Sequence, residues 1–334
     1  MQKILVAGPA WVGDMVMAQS LYMTLKQHDP ETIIDVLAPA WSGPILKRMP
    51  EVRRHIEMPV GHGEFGLGAR YRLGRQLRDE VYDQAIVIPR SFKSALTPFF
   101  AGISKRTGYK GEMRYGLIND MRVLDKSVLT QTVQRYVALG LERDAALPPE
   151  NIPQPELVVD EQNQQRLLAE LSLGIEQPIV GFMPAAEYGP AKRWLPEYFA
   201  ELAQKLVAQG HQVWLFGSAK DQPVCQQILV AAGEGVVNLC GKTRLEDVVD
   251  LIALTEQVVT NDSGLMHIAA ATGRKIVAIY GSSSPGYTPP LTDNAEVVYL
   301  GLECSPCFER ECPLEHYRCL RNISVEEVFR LCQP

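Results

Sequence analysis

Residues 258–273, Val-Val-Thr-Asn-Asp-Ser-Gly-Leu-Met-His-Ile-Ala-Ala-Ala-Thr-Gly, leave this chain few ways to fold. A short apolar strand stops at a polar turn and becomes a helix of small residues, and 275–280, Lys-Ile-Val-Ala-Ile-Tyr, reads as the next strand. Strand, helix and strand at this spacing make a βαβ unit, which implies a parallel sheet covered by helices on both faces. Asp262 or Ser263 is expected to cap the helix, and Gly273 ends it with a residue that tolerates positive φ. Gly264 leaves the backbone open to close approach. A helix N-terminus at the end of a parallel strand favours an anion, through its unpaired N–H groups and its dipole. The same pattern also fits an ordinary strand-to-helix turn, so the rest of the chain must decide its use.

The alternation recurs on both sides of one break. Strands are expected at 3–8, 33–37 and 85–89, with Met17, Leu21 and Leu25 on one face of a helix between the first two. Residues 147–155, Leu-Pro-Pro-Glu-Asn-Ile-Pro-Gln-Pro, cannot continue helix or sheet and read as a linker. A second series follows: strands at 178–182, 212–216 and 236–239, and helices at 197–209, 222–232 and 245–253. At ~150 residues per domain, 334 residues suit two doubly wound α/β domains, 1–155 and 156–323.

No stretch approaches the ~18 uncharged apolar residues of a membrane span. The opening Met-Gln-Lys-Ile-Leu-Val-Ala-Gly reads as a strand and not a signal peptide, so a cytoplasmic protein is expected. Charge is uneven: residues 1–155 carry 20 Lys/Arg and 16 Asp/Glu, net +4, whereas the remainder carries 13 and 23, net −10. A basic domain on an acidic chain points to an anionic partner for the first half. Two places concentrate this charge. Residues 61–74, rich in Gly and Arg, suggest a mobile loop before a basic helix running through Arg75 and Arg78, with Arg70 and Arg72 inside the run. Residues 90–126 hold eight Lys/Arg, among them Arg90, Lys93 and Arg114, against three Asp/Glu, interleaved with Phe92, Phe99, Phe100, Tyr109 and Tyr115. The patch is short and the protein acidic, which argues against nucleic acid and for a phosphorylated small or lipid-linked ligand.

The first βαβ invites a dinucleotide reading with Asp35 on a ribose. Gly8 and Gly13 do not make G-x-G-x-x-G, however, and Pro9 and Trp11 stand where backbone would meet pyrophosphate. Asp14 sits where strand gives way to helix, either as an N-cap or as a functional carboxylate. In the second half, residues 184–194 carry Lys192 and Arg193 in a glycine-containing loop at the C-terminal edge of the sheet, where a point charge and a guanidinium fork can reach a diphosphate. Loops 217–221 and 262–267 leave the same edge. His267, on an apolar helix face, is either a satisfied core residue or a ligand-placing group. Five of seven cysteines follow residue 300, and Cys304, Cys307, Cys312 and Cys319 with His316 resemble a zinc cluster. The paired Cys-x-x-Cys knuckle is not repeated, so they are read as thiols and no metal or cofactor is expected.

Gly13-Asp14, Lys192-Arg193-Trp194, Asn261-Asp262-Ser-Gly-Leu-Met-His267 and the Cys-rich tail together resemble the ADP-heptose:lipopolysaccharide heptosyltransferases, over essentially the whole chain. The tail Cys-Ser-Pro-Cys-Phe-Glu-Arg-Glu-Cys-Pro-Leu favours the members that add the second heptose. The resemblance implies a GT-B fold: two facing Rossmann-like domains with a deep cleft, the first for the acceptor and the second for ADP-heptose. The last helix, 324–332, would pack back on the first domain. It further implies metal-independent, inverting transfer with Asp14 as base and Lys192 on the leaving diphosphate. The donor would be bound by Lys192, Arg193, Asp221, Asp262, Ser263, Gly264, Leu265, Met266 and His267, with Asp221 on the ribose. Trp11, Gly13, Arg70, Arg72, Arg90, Lys93 and Arg114 would face the acceptor, a lipid A–Kdo–heptose at the inner face of the inner membrane. A monomer in peripheral membrane contact is expected. One departure stands out: Ala185-Ala186 replace donor-phosphate hydroxyls, which shifts those contacts to backbone or Tyr188. Three rivals remain: a core heptosyltransferase acting on a different acceptor, such as the one that adds the first heptose; an NAD-binding oxidoreductase using Asp35; and a noncatalytic nucleotide-sugar-binding protein.

Overall fold

A computed structural model describes residues 1–61 and 63–333. The chain divides into two compact units, Met1–Pro155 and one beginning at Glu156. In the first, β1 (Lys3–Ala7), β2 (Ile33–Ala38), β3 (Val52–Glu57), β4 (Gln84–Val87), β5 (Lys105–Tyr109) and β6 (Asp120–Arg122) form one sheet. Its helices are α1 (Val12–His28), α2 (Gly43–Leu46), α3 (Leu67–Gln76), α4 (Leu96–Phe100) and α5 (Thr132–Gly140). The second unit has β7 (Ile179–Met183), β8 (Gln212–Leu215), β9 (Val236–Asn238), β10 (Gln257–Asn261), β11 (Lys275–Tyr280) and β12 (Ala295–Tyr299). Its helices are α6 (Glu161–Glu170), α7 (Pro196–Ala208), α8 (Gln222–Ala232), α9 (Leu245–Ile252), α10 (Gly264–Ala271), α11 (Arg318–Arg321) and α12 (Val325–Leu331).

Both sheets are parallel and share one topology, β3-β2-β1-β4-β5-β6 and β12-β11-β10-β7-β8-β9. In each the strand order reverses once, between β1 and β4 and between β10 and β7. Ligands of open α/β sheets bind at the carboxyl ends of the strands flanking that reversal. The central strands are buried on both faces and so read as apolar runs, β7 and β10 being buried throughout.

α12 packs on α7, and Val325, Val328 and Cys332 join Trp194, Phe199 and Leu202 in the core of the second unit. Its apolar face is therefore buried in the core of the second unit. In the 61–74 run, α3 starts at Leu67 and Arg70 lies inside it; His62 falls outside the described residues. Among the described residues, no helix is long and apolar enough to cross a membrane.

Candidate active site

The loop after β7 places Lys192 and the turn after β10 places Asp262, so these two groups come from the strands flanking the reversal in the second sheet. Lys192 Nζ lies 2.5 Å from Asp262 Oδ2, with side chains 17% and 5% exposed. The ammonium also stands 5.0 Å from the centre of the Tyr188 ring, and the guanidinium of Arg310 is 5.4 Å from the same centre. One aromatic ring thus carries two cations.

The Lys192 loop is held by long-range bonds. Asn261 accepts from the Trp194 N–H at 2.9 Å and donates to Pro184 O at 2.7 Å, tying the end of β10 to both ends of the loop. The Trp194 indole is fully buried, donates to Ile323 O at 3.1 Å and packs on Phe199. The Cys-rich tail is stitched to the same loop: Ala191 N–H donates to Arg310 O at 3.0 Å, Ser282 N–H to Ala191 O at 3.0 Å, and Phe308 N–H to Ser282 O at 2.7 Å. Gly189 permits this approach, since a Cβ there would meet Arg310 O at 2.4 Å.

At the head of α10, Ser263 occupies the cap position without a side-chain cap, and the Asp262 carboxylate turns to Lys192. The cap expected from either side chain is absent, so the first N–H groups of α10, at Gly264–Leu265, have no capping side-chain acceptor. His267, buried one turn in, is pulled down to about 4 by burial. The Asp262 charge opposes that shift and the Lys192 charge adds to it. It is therefore neutral at pH 7. Its Nδ1 and the hydroxyls of Ser263, Ser282 and Ser283 are buried polar atoms with no hydrogen-bond partner among the described residues. Such atoms are costly unless a ligand or water satisfies them. Ser282 and Ser283 follow β11, and local sequence pattern did not single them out.

Other expected donor residues have local work. Arg193 donates from Nε and Nη2 to Ala186 O at 3.1 and 2.9 Å, clamping its own loop. Asp221 Oδ2 accepts from the N–H and hydroxyl of Ser218, closing the turn after β8. The Met266 side chain is buried in the core, its Sδ 3.5 Å from the Tyr280 hydroxyl, so only its backbone can face a ligand.

In the first unit a cavity of about 870 Å³ opens at the carboxyl ends of β1 and β2, lined in part by Gly8, Ala10, Trp41, Glu64, Arg70 and Lys93. Asp14 is half-buried in the first turn of α1, where a carboxylate suits the helix dipole; the N-cap is Trp11, 49% exposed, and not Asp14. Gly13 is buried beside it. Arg70 is buried and donates to Phe65 O at 2.8 Å, so it shapes the cavity wall as well as lining it. Arg72 and Arg90 are exposed. Arg114 must be removed from the acceptor surface: it is fully buried, donates to Pro89 O at 2.6 Å and to Tyr109 O, and is pulled down to about 10 by burial. Asp35 is also structural. Its carboxylate is fully buried and bound by Arg53, Arg54 and Tyr82, which leaves a dinucleotide ribose no acid at the end of β2. Among the described residues, no group of three or more His, Cys, Asp or Glu is arranged to hold a metal ion.

The model of glycosyltransferase family 9 (heptosyltransferase) matches residues 70–318. The chain belongs to this family. It is thus a transferase with an α/β fold of the GT-B type. It is 53% identical to the lipopolysaccharide heptosyltransferase 2 of Salmonella typhimurium, over 89% of this chain and 88% of that one. It is 54% identical to the lipooligosaccharide heptosyltransferase 2 of Haemophilus influenzae over the same shares. A solved structure of the E. coli ADP-heptose LPS heptosyltransferase II superposes with a TM-score of 0.88 at 45% identity, over 99% of this chain and 97% of that one.

Proposed function

We propose that this family 9 enzyme moves heptose from ADP-heptose to the first heptose of the lipopolysaccharide inner core, as a heptosyltransferase II. The observation that carries the donor half is the Lys192–Asp262 pair beside the head of α10, with orphaned hydroxyls and a neutral His267 around it. Relatives named heptosyltransferase 2, above half identity, support the choice of member.

In this reading the acceptor hydroxyl attacks the anomeric carbon and passes its proton to the Asp14 carboxylate. The bond from that carbon to the diphosphate oxygen breaks, and ADP leaves with the electron pair. Lys192 and the N–H groups at the start of α10 receive the charge that develops there. His267 and the Ser263, Ser282 and Ser283 hydroxyls hold phosphate or sugar oxygens, while Asp262 holds Lys192 in place. A single displacement with one base inverts the anomeric centre. Arg70, Lys93 and the first-unit cavity receive the acceptor, with Trp11, Arg72 and Arg90 at its approach. The lipid-linked acceptor places the enzyme on the cytoplasmic face of a membrane, working as a monomer.

The test measures ADP release from ADP-heptose with acceptors bearing no heptose or one. Turnover with the one-heptose acceptor alone is expected; turnover on the heptose-free acceptor reassigns the enzyme to the first transfer. Asp14→Asn is expected to lower kcat by about 10²–10⁴-fold with ADP affinity intact. A near-normal kcat would remove Asp14 as the base.

A further inference from the structure

Large apolar side chains lie open on the outside of α3 and α4. Phe65 is 50% exposed, Leu67 49%, Tyr71 47% and Phe99 42%. Their rings pair in two groups. The Tyr71 ring meets Phe100 edge-on at 5.1 Å, Phe100 meets Phe99 at 5.7 Å, and Phe65 stacks with Phe92 at 6.3 Å. α3 can lie this close to α4 because Gly74 faces it; a Cβ there would stand 2.5 Å from Phe100 Cβ.

Cations frame these rings. Besides the buried Arg70, segments 64–80 and 92–106 carry Arg72, Arg75, Arg78, Lys93, Lys105 and Arg106 against Glu64, Asp79 and Glu80, and Glu80 is paired with Lys3 and Arg54. Arg72, Arg75, Arg78 and Lys105 are exposed, and the Arg106 guanidinium lies 5.5 Å over the Phe99 ring. Along α3, Leu67, Tyr71 and Arg75 recur at helical spacing and make one stripe, and Arg78 follows in the next turn. Apolar rings among cations suit a surface that is anionic outside and apolar a few ångströms beneath. An anionic bilayer is such a surface: rings enter the headgroup boundary while the arginines keep their charge among the phosphates.

We propose that the exposed face of α3 and α4 docks this protein on an anionic phospholipid bilayer. The inference rests on this surface alone and not on the transferase reading. It has a geometric consequence for that reading, because Glu64, Arg70 and Lys93 belong to the cavity wall in the same unit. A lipid-linked ligand would enter the cavity from a membrane already held beside it.

The experiment is co-sedimentation of the full chain with vesicles of phosphatidylcholine alone, or with about one-third phosphatidylglycerol, no acceptor being present. Binding to the anionic vesicles is expected to exceed that to neutral ones by roughly tenfold or more and to fall with added salt. Arg75→Glu and Leu67→Ser alter exposed side chains outside the proposed catalytic and acceptor groups. Each is expected to weaken vesicle binding by roughly tenfold, with thermal melting and ADP affinity unchanged. Equal binding to both vesicle types, no binding, or variants that bind like wild type would each overturn the proposal. So would a concentration-dependent dimer that the same two variants abolish, since the face would then belong to a second copy. Loss of vesicle binding with turnover on a soluble acceptor retained separates this surface from the active site.

Discussion

Lys192 and Asp262 form an ion pair at 2.5 Å across the point where the second sheet reverses its strand order, and both side chains are largely out of water. A pair so placed has two roles that substitution can separate. Lys192→Ala leaves a buried carboxylate without its partner, a loss on the order of 3–5 kcal/mol, and also removes the charge assigned to the leaving diphosphate. Replacing both residues with Ala removes the stranded charge, so most of the lost stability is expected to return while activity does not. Denaturant midpoints and kcat measured on the single and double variants decide this. Recovery of turnover in the double variant would show that Lys192 acts only by neutralising Asp262.

Gly189→Ala is expected to damage turnover without touching a reacting atom. The added methyl would stand 2.4 Å from Arg310 O, and the φ of +155° at Gly189 is one that side chains rarely adopt. The backbone bond from Ala191 to Arg310 must then yield, and Lys192 moves with it. A kcat loss of roughly 10²-fold is expected, the scale of an ångström-sized misplacement, with a native far-UV spectrum. Unchanged kcat would mean that the stitch to the tail does not position Lys192.

These two cases show what sequence could and could not reveal. β10, α10 and β11 were legible because buried parallel strands are apolar runs and Gly273, at φ +72°, is a local stop signal. β3 and β12 were not, since half-exposed edge strands such as Val-Arg-Arg-His-Ile-Glu carry no apolar run, and neither was β5, Lys-Arg-Thr-Gly-Tyr, an inner strand whose buried half is Thr, Gly and Tyr. α6 is mostly polar and is announced by little beyond the Asp160 cap. Asp262 and Lys192 were legible as residue types at a sheet edge. Their pairing, and the Ser282 bridge between the Lys192 loop and the tail, join residues many positions apart and leave no periodic trace. Arg114 failed for the opposite reason: in sequence a buried arginine bonding carbonyls looks like any surface cation.

His267 sets an acid limit on stability. Its folded value of about 4 lies below the unfolded 6.5, so the unfolded chain takes up the proton first. The associated stability is present above pH 6.5 and is lost as pH falls from 6.5 toward 4, by an amount on the order of 3 kcal/mol. His267→Gln keeps a polar group there but cannot titrate. Its melting temperature is expected to fall less steeply than that of wild type between pH 6.5 and 4.5. Parallel curves for the two proteins would mean that His267 is not held neutral by its site.

Asp35 distinguishes a structural carboxylate from a ribose-binding one. Its fully buried side chain is shared by Arg53, Arg54 and Tyr82, and burial first, then the Asp35 carboxylate, push the Tyr82 hydroxyl well up. Asp35→Ala strands that hydroxyl, whereas Arg53, 41% exposed, can turn to water. A loss of about 2 kcal/mol in unfolding free energy is expected, nearer the cost of one unpaired buried group than that of a broken buried ion pair. ADP affinity should not change, because the proposed nucleotide groups lie in the unit beginning at Glu156. Calorimetric titration with ADP on the folded variant tests this directly, and a weakened ADP site would return the nucleotide to the first βαβ unit.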